Sequence, residues 1–236
     1  MSGVRFDFAD ARVLVTGAAG LLGGACVRAF LEAGARVTGT DVVPADLGKA
    51  AFVLGDLTDE AVLSTVHAAA TGGGPLDVLV NCAAISHRLA DFTDTTGAQF
   101  DEMYAVNVRP VHGLSRRAAR DWIRTGRPGA IVNFSSPGAV RAHADQSLYD
   151  ATKGAVEALS RAMAVELGPY GIRVNCVSPA SIGADGRART DVPMRVATTP
   201  ADVADAVLFL ASPAARRITG TVLSVDAGLL ATLRTG

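Results

Sequence analysis

Three side chains in the middle of the sequence have the types and spacing to move a proton together. Tyr149 and Lys153 lie four positions apart, which puts them on one face of a helix, and Ser136 precedes Tyr149 by thirteen residues. The 236 residues hold three Tyr and only two Lys, Lys49 and Lys153, against 20 Arg. In such a composition a chance Tyr-x-x-x-Lys arises roughly three times in a hundred, so the spacing carries weight. A free phenol, with a pKa of about 10, is a poor base at neutral pH, and an ammonium one helical turn away favours its phenolate. Tyr149 is therefore expected to take a proton from a hydroxyl or give one to a carbonyl. The Ser136 hydroxyl would hold the substrate oxygen, and Lys153 would act as a compact charge with three donors.

A second group of residues, near the start of the chain, suits a pyrophosphate. An apolar run, Arg12 to Thr16, leads into Gly17-Ala18-Ala19-Gly20-Leu21-Leu22-Gly23 and then into a helical pattern. Glycines there turn the backbone sharply and let an anion approach the helix N-terminus, where unpaired N–H groups point outward. Gly17, Gly20, Leu22 and Gly23 are the expected contacts. Asp41 follows Gly23 by 18 residues, at the end of the next apolar run. A carboxylate at that place accepts hydrogen bonds from ribose hydroxyls and repels a 2′-phosphate. The next two residues, Val42 and Val43, are not basic, so NAD(H) is expected in preference to NADP(H). Asp56 and Leu57 would bound the adenine, and Asn81 and Ala83 would border the crevice. Oxidised nicotinamide is itself cationic and would add to the effect of Lys153 on Tyr149. Tyr149 and Lys153 thus count as cofactor contacts as well as catalytic residues.

Between these groups, short apolar runs alternate with Ala/Leu-rich helical stretches. Strands are predicted at 12–16, 35–41, 51–54, 76–81, 130–135, 173–177 and 222–225. Helices are predicted at 22–33, 58–70, 97–125, 147–167 and 200–211. The runs are apolar throughout, the pattern of strands covered on both faces. Strand–helix–strand repetition implies right-handed crossovers. The expectation is one α/β domain over 1–236, a Rossmann-like doubly wound parallel sheet of about seven strands in three layers, with a short lid at about 181–199. Only nine residues separate Asp41 from Ala51, too few for a crossover with a full helix. The helix there should be vestigial.

Together these residues resemble the short-chain dehydrogenase/reductase family in its compact single-domain form. The resemblance runs from Arg12 to about Gly228 and rests on the glycine turn, Asp41, Asp56, Asn81-Cys82-Ala83-Ala84, Asn107 in Val106-Asn107-Val108, Ser136, Tyr149, Lys153 and Asn175-Cys176-Val177-Ser178-Pro179. It implies that Asn107 joins Ser136, Tyr149 and Lys153 in a catalytic tetrad, its side chain tied up locally and its backbone holding a relay water. It also implies that Pro179 and Ile182 border the nicotinamide, that the reaction interconverts an alcohol and a ketone, and that the protein is a homodimer or homotetramer with the Tyr-bearing helix at an interface. Ala151, Ala155, Ala158 and Ala162 would give that helix a small-residue face. Departures from the family pattern are Leu21 and Gly20 in the glycine turn, Cys82 and Ala84 after Asn81, Ala180 after Pro179, and Ala184 where a Thr usually contacts the carboxamide. An NAD-using epimerase or dehydratase, or a non-catalytic dinucleotide sensor on the same fold, are the alternatives.

The remaining features narrow the class. The formal net charge is −1, which argues against a nucleic acid partner. No apolar run approaches the roughly 18 residues of a membrane span, and the first residues carry acidic groups rather than the apolar core of a signal peptide. Cys26, Cys82 and Cys176 lie far apart. They are read as thiols of a cytoplasmic, reducing compartment rather than as disulfides or metal ligands. Near the pocket, His87, Arg88, Pro137, Arg141 and His143, with Arg187, Arg189 and Arg195 in the lid, are candidate substrate contacts.

Overall fold

The apolar runs form seven strands: β1 (Arg12–Thr16), β2 (Arg36–Asp41), β3 (Ala51–Leu54), β4 (Val78–Asn81), β5 (Gly129–Phe134), β6 (Ile172–Pro179) and β7 (Val222–Val225). All neighbouring pairs are parallel, in the order β3-β2-β1-β4-β5-β6-β7. This computed structural model describes residues 6–86, 91–180, 182 and 192–232. Within them the helices are α1 (Leu21–Glu32), α2 (Glu60–Thr71), α3 (Gly97–Asn107), α4 (Arg109–Thr125), α5 (Ser147–Leu167) and α6 (Pro200–Ala211). The chain reverses its direction of winding between β1 and β4, so their carboxyl ends form a switch point, where α/β sheets bind ligands.

The three layers follow from side-chain alternation along the strands. Val13, Val15, Val78, Val80, Val132 and Phe134 enter one buried cluster with α1 and α6 residues such as Phe30 and Val207. The alternate residues Leu14, Leu79 and Ile131 enter the opposite cluster with Leu63, Leu114 and Trp122 from α2 and α4. Both faces are apolar, as a fully covered parallel sheet requires. Between β2 and β3 there is no helix, only turns. Leu47 fills the missing layer: its Cδ1 lies where a Cβ on Gly39 would stand, within 2.4 Å. A glycine in β2 thereby makes room for a substitute for the absent helix.

Several boundaries differ from the sequence prediction. The helix expected over 97–125 is two helices broken at Val108, whose φ and ψ are −117° and −48°. Pro110 stands in the first turn of α4, and a proline lacks the N–H and crowds the preceding turn. Helix α2 starts at Glu60 rather than Thr58 because Asp59 caps it, accepting from Ala61 N at 2.8 Å. Strand β6 runs on to Pro179 because Ser178 and Pro179 pair with Ser224 and Val225 of β7. Of the expected lid, Ile182 forms an isolated bridge with Thr198, and Val192, Ala197 and Thr198 are buried. His87, Arg88, Ala184, Arg187 and Arg189 lie outside the described residues.

Candidate active site

The glycine turn closes on itself because no side chain intervenes. Gly17 adopts φ +68°, and a Cβ there would stand 2.9 Å from the backbone of Ala83. A Cβ on Gly23 would stand 2.0 Å from the Gly17 carbonyl oxygen, so α1 can pack this tightly on the turn only with glycine. Gly20 is the N-cap of α1, with no side-chain cap and no acid in the first turn. The N-terminal N–H groups of α1 therefore face the cleft without a side-chain partner, which suits an anion.

This turn floors a cleft of about 610 Å³ at the switch point. Gly17, Gly20, Leu22 and Gly23 line its base. Asp41, Asp56 and Leu57 form the wall supplied by the ends of β2 and β3, and Ala83 and Ile182 stand on the opposite side. The Asp41 carboxylate is already oriented: it accepts from Ala19 N at 3.0 Å and from Val43 N at 3.2 Å. Val42 and Val43 beside it are exposed. Asp56 accepts from Thr58 N at 2.9 Å. A glycine cradle that a Cβ at Gly17 or Gly23 would fill, an uncapped helix N-terminus and a carboxylate held at the end of β2 on the cleft wall together fit an adenine dinucleotide. A second cleft of about 610 Å³ opens at the amino-terminal ends of the strands. It has no glycine cradle, and two of its arginines are committed. Arg127 pairs with Asp77 at 2.8 Å, and Arg173 caps the last carbonyls of α6.

Asn81 is placed differently from expectation. It is not among the residues lining the cleft. Its amide donates to Asn133 Oδ1 at 2.8 Å and to Ser115 Oγ at 3.3 Å inside the sheet. Asn133 continues to Ser160 at 2.7 Å. Buried amides need partners, and this chain of side chains ties β4 and β5 to α4 and α5. Pro179 ends β6 and is half-buried, outside the cleft lining, whereas Ile182 reaches it.

Ser136, Tyr149 and Lys153 lie together, and Tyr149 and Lys153 share one face of a helix. Helix α5 carries Tyr149 and Lys153 on one face, with Lys153 Nζ 5.5 Å from the Tyr149 ring centroid. Ser136, just beyond β5, lies close enough to the Tyr149 phenol for its side chain to lower the phenol's pKa. Lys153 is 4% exposed and donates to the Phe134 carbonyl at 2.9 Å. The cleft-lining Cys82 lies within electrostatic reach of both Tyr149 and Lys153, and Ile85, which lines the same cleft, packs like Tyr149 against Met103 and Leu148. Ser136, Tyr149 and Lys153 thus adjoin the glycine-floored cleft.

Electrostatics at this end depart from the expectation for the free protein. Burial pushes the Tyr149 phenol above its ordinary value; the Ser136 hydrogen bond lowers it, and Asp150 and Cys82 raise it further. Burial also lowers Lys153 to about 8, with smaller opposing effects from Cys82 and Cys176. Desolvation disfavours the charged form of each, and the help expected from Lys153 to a Tyr149 phenolate is not among the influences on either group. A phenolate in this site needs additional positive charge.

Asn107, at the end of α3, is buried with its side chain fully engaged. Its Oδ1 accepts from Ile85 N at 2.8 Å, and its Nδ2 donates to Ile85 O at 3.0 Å and to Thr152 Oγ1 at 3.1 Å. It therefore joins the cleft wall to α5, as the resemblance implied for the side chain. Sequence reading missed Thr16, whose buried Oγ1 accepts from Cys82 N and Ala83 N, both at 3.0 Å. A hydroxyl residue ending the strand before the glycine turn was its only signal. It also missed Thr152, whose position next to Lys153 gave none. Arg141 reaches the carbonyls of Leu229 and Thr232 rather than standing free for a substrate.

Comparison with known proteins places this geometry. The family model described as enoyl-(acyl carrier protein) reductase matches residues 17–230. L-xylulose reductase of Mesocricetus auratus is 38% identical, covering 95% of this chain and 98% of that protein. Carbonyl reductase (NADPH) 2 of Sus scrofa is 36% identical over 97% of this chain and 100% of that protein. Among solved structures, 3-ketoacyl-(acyl-carrier-protein) reductase from Brucella melitensis, complexed with NADH, superposes with a TM-score of 0.87. It is 31% identical and covers 94% of this chain and 99% of that one.

Proposed function

We propose that this chain, which belongs to the short-chain dehydrogenase/reductase family, is an NAD(H)-preferring oxidoreductase that interconverts a secondary alcohol and a ketone on a small polyol or ketose. The observation that carries the reading is the meeting of Ser136, Tyr149 and buried Lys153 beside the glycine-floored cleft. The substrate class rests on the likeness to L-xylulose reductase. The coenzyme preference rests on Asp41, which two main-chain N–H groups hold in place with no cation in the adjacent residues. A carboxylate fixed there repels a 2′-phosphate.

Gly17, Gly20, Leu22 and Gly23 would hold the pyrophosphate, Asp41 the adenosine ribose, Asp56 and Leu57 the adenine, and Ala83, Pro179 and Ile182 the nicotinamide half. Bound there, the dinucleotide supplies the hydride acceptor of oxidation, and the positive charge of its oxidised ring favours phenolate at Tyr149. Tyr149 takes the hydroxyl proton of the alcohol in oxidation and returns a proton to the carbonyl oxygen in reduction. Ser136 donates to that same oxygen and orients it. Lys153, anchored on Phe134 O, keeps positive charge beside the phenol and reaches toward the ribose. Asn107 fixes the cleft wall to α5 by its side chain, leaving its main-chain carbonyl to hold a relay water. A homodimer or homotetramer through α5 belongs to the same reading: Ala151, Ala158 and Ala162 are exposed on that helix, and sedimentation equilibrium would measure it. The three free thiols suit a reducing compartment such as the cytoplasm. Among the described residues no helix is long and apolar enough to cross a membrane.

The test is a panel of pentitols, hexitols and the matching ketoses with NAD(H) and NADP(H), followed at 340 nm. Turnover with net change in NADH is expected, and Tyr149→Phe should lower kcat by about 10²–10⁴-fold. A folded Tyr149→Phe variant with undiminished turnover would overturn the assignment of the proton donor.

A further inference from the structure

Asp150 follows Tyr149 directly, in the first turn of α5, yet its carboxylate does not serve the N–H groups of that helix. Both oxygens go to His143: Oδ2 accepts the main-chain N–H at 2.7 Å, and Oδ1 meets ring Nδ1 at 2.8 Å. The carboxylate side chain is 8% exposed and the imidazole 45%, so a buried anion is held from one side by a ring that water reaches. Facing a carboxylate, Nδ1 must carry the proton. The turn Pro137–Ala139 closes the arrangement. A Cβ on Gly138 would stand 1.9 Å from Asp150 Oδ1 and 2.9 Å from His143 Nδ1, so this turn touches the pair directly. Gly138 N in turn donates to Ser136 Oγ at 3.2 Å, and the Ser136 side chain acts on the Tyr149 phenol. Tyr149, Asp150, His143, Gly138 and Ser136 thus form a closed circuit of contacts.

We propose that His143 and Asp150 are positioning residues: the pair fixes Ser136 against Tyr149, and the negative charge that Asp150 presents to Tyr149, screened by the hydrogen bond from the His143 ring, governs the pH at which the phenol gives up its proton. The ring N–H donated to Oδ1 offsets part of the carboxylate's negative charge, and removing that donor leaves the full charge facing the phenol. A negative charge next to a phenol disfavours phenolate, and Asp150 acts on Tyr149 in that direction. The other groups that bear on the circuit are Lys153 one turn along α5, the neutral Cys82 thiol at the end of β4, and Arg141 and Asp145 in the same loop as His143. Arg141 is engaged by Leu229 O and Thr232 O. Helix α3 contributes the apolar Met103 to the packing around Tyr149.

The proposal rests on Tyr149 as the acid/base group and is tested by the pH profile of kcat/KM for alcohol oxidation. Asp150→Asn keeps an acceptor for His143 N–H but removes the charge, so the rising limb should move to lower pH by about half a unit or more. His143→Ala leaves the buried carboxylate uncompensated, so the limb should move the other way. His143→Gln, which restores a donor to Oδ1, should return the limb toward that of the parent enzyme. KM for NAD should stay within about twofold in all three. Lowered kcat with an unmoved limb, or shifts of the same sign in Asp150→Asn and His143→Ala, would overturn the proposal. If Asp150→Asn does not fold, the opposed behaviour of His143→Ala and His143→Gln decides alone. Tyr149→Phe in the same assay separates the two failures: a limb that survives in that variant sinks the Tyr149 reading, whereas its loss beside unmoved limbs in the others sinks only the pairing.

Discussion

In the proposed reading, Asp41 carries the coenzyme choice on one side chain. Its carboxylate is held by Ala19 and Val43 before any ligand arrives, so it cannot swing aside for a 2′-phosphate without losing both bonds. Asp41→Ala should narrow the difference in Kd between NAD and NADP by about tenfold, or ~1.4 kcal/mol, as isothermal titration calorimetry would show. An unchanged ratio, or NADP already the tighter ligand in the parent protein, would place the preference elsewhere. The same residues show where spacing reaches its limit. Tyr149 and Lys153 were legible because a helix converts four positions into one face. Asn81 was misplaced because a polar residue ending a strand can point along either face or into a neighbouring strand, and only the presence of Asn133 across the sheet decides. His143 was read as a candidate substrate contact, but its engagement by Asp150 gave no sequence signal because a seven-residue separation through a turn has no fixed geometry.

At the scale of elements, the glycine turn and α1 act as one unit. Gly23→Ala places a Cβ against the backbone of Gly17 and Ala18, and backbone cannot yield as a side-chain tip can. The expected cost is about 1–3 kcal/mol in urea unfolding, with a clear loss of NAD affinity. Gly126→Ala is the control. Gly126 ends α4 at φ +66°, and an added methyl there would meet nothing within 4 Å, so it should cost about 1 kcal/mol from strain alone and leave the Kd for NAD unchanged. Equal effects of the two on NAD binding would refute the steric account of the turn. The break at Val108 follows from Pro110, whose residue type was visible in the sequence. Its consequence, that Asn107 ends one helix and can bridge Ile85 to Thr152, required both partners to be in place.

For the whole molecule, the site is a place where the fold gives up stability. Lys153 titrates at about 8 against 10.5 when free, a difference of about 3 kcal/mol between charged and neutral forms. The sign follows from proton counts. Between pH 8 and 10.5 the unfolded chain binds more protons than the native one at this group, so its contribution to stability rises with pH. Cys176 at about 11 and Cys82 at about 12, both raised by burial, work in the opposite sense. Above pH 9 the native thiols keep protons that the unfolded ones lose, so their contribution falls. Lys153→Met should therefore stabilise the dinucleotide-free protein at pH 7 by about 1–3 kcal/mol. That advantage should shrink as pH rises from 8 to 10.5, measured by urea unfolding across the range. A gap that does not vary with pH would mean that Lys153 is not buried as a cation.

The sequence by itself determined the class of fold, the order of strands and helices, the missing crossover after β2, the glycine turn, Asp41 and the Ser136, Tyr149, Lys153 group. Each of these depends on composition or on short spacings that local backbone geometry converts directly into a face, a turn or a strand end. Only the tertiary structure decided the rest. It showed that α3 and α4 separate, that Asn81 turns into the sheet, that Leu47 replaces a helix, that Thr16 holds the switch point, and that Asp150 is answered by His143. Those outcomes depend on which residues distant in the chain arrive at the same few cubic ångströms, and on desolvation there. Desolvation disfavours the charged forms of both Tyr149 and Lys153, and a linear sequence carries no measure of it.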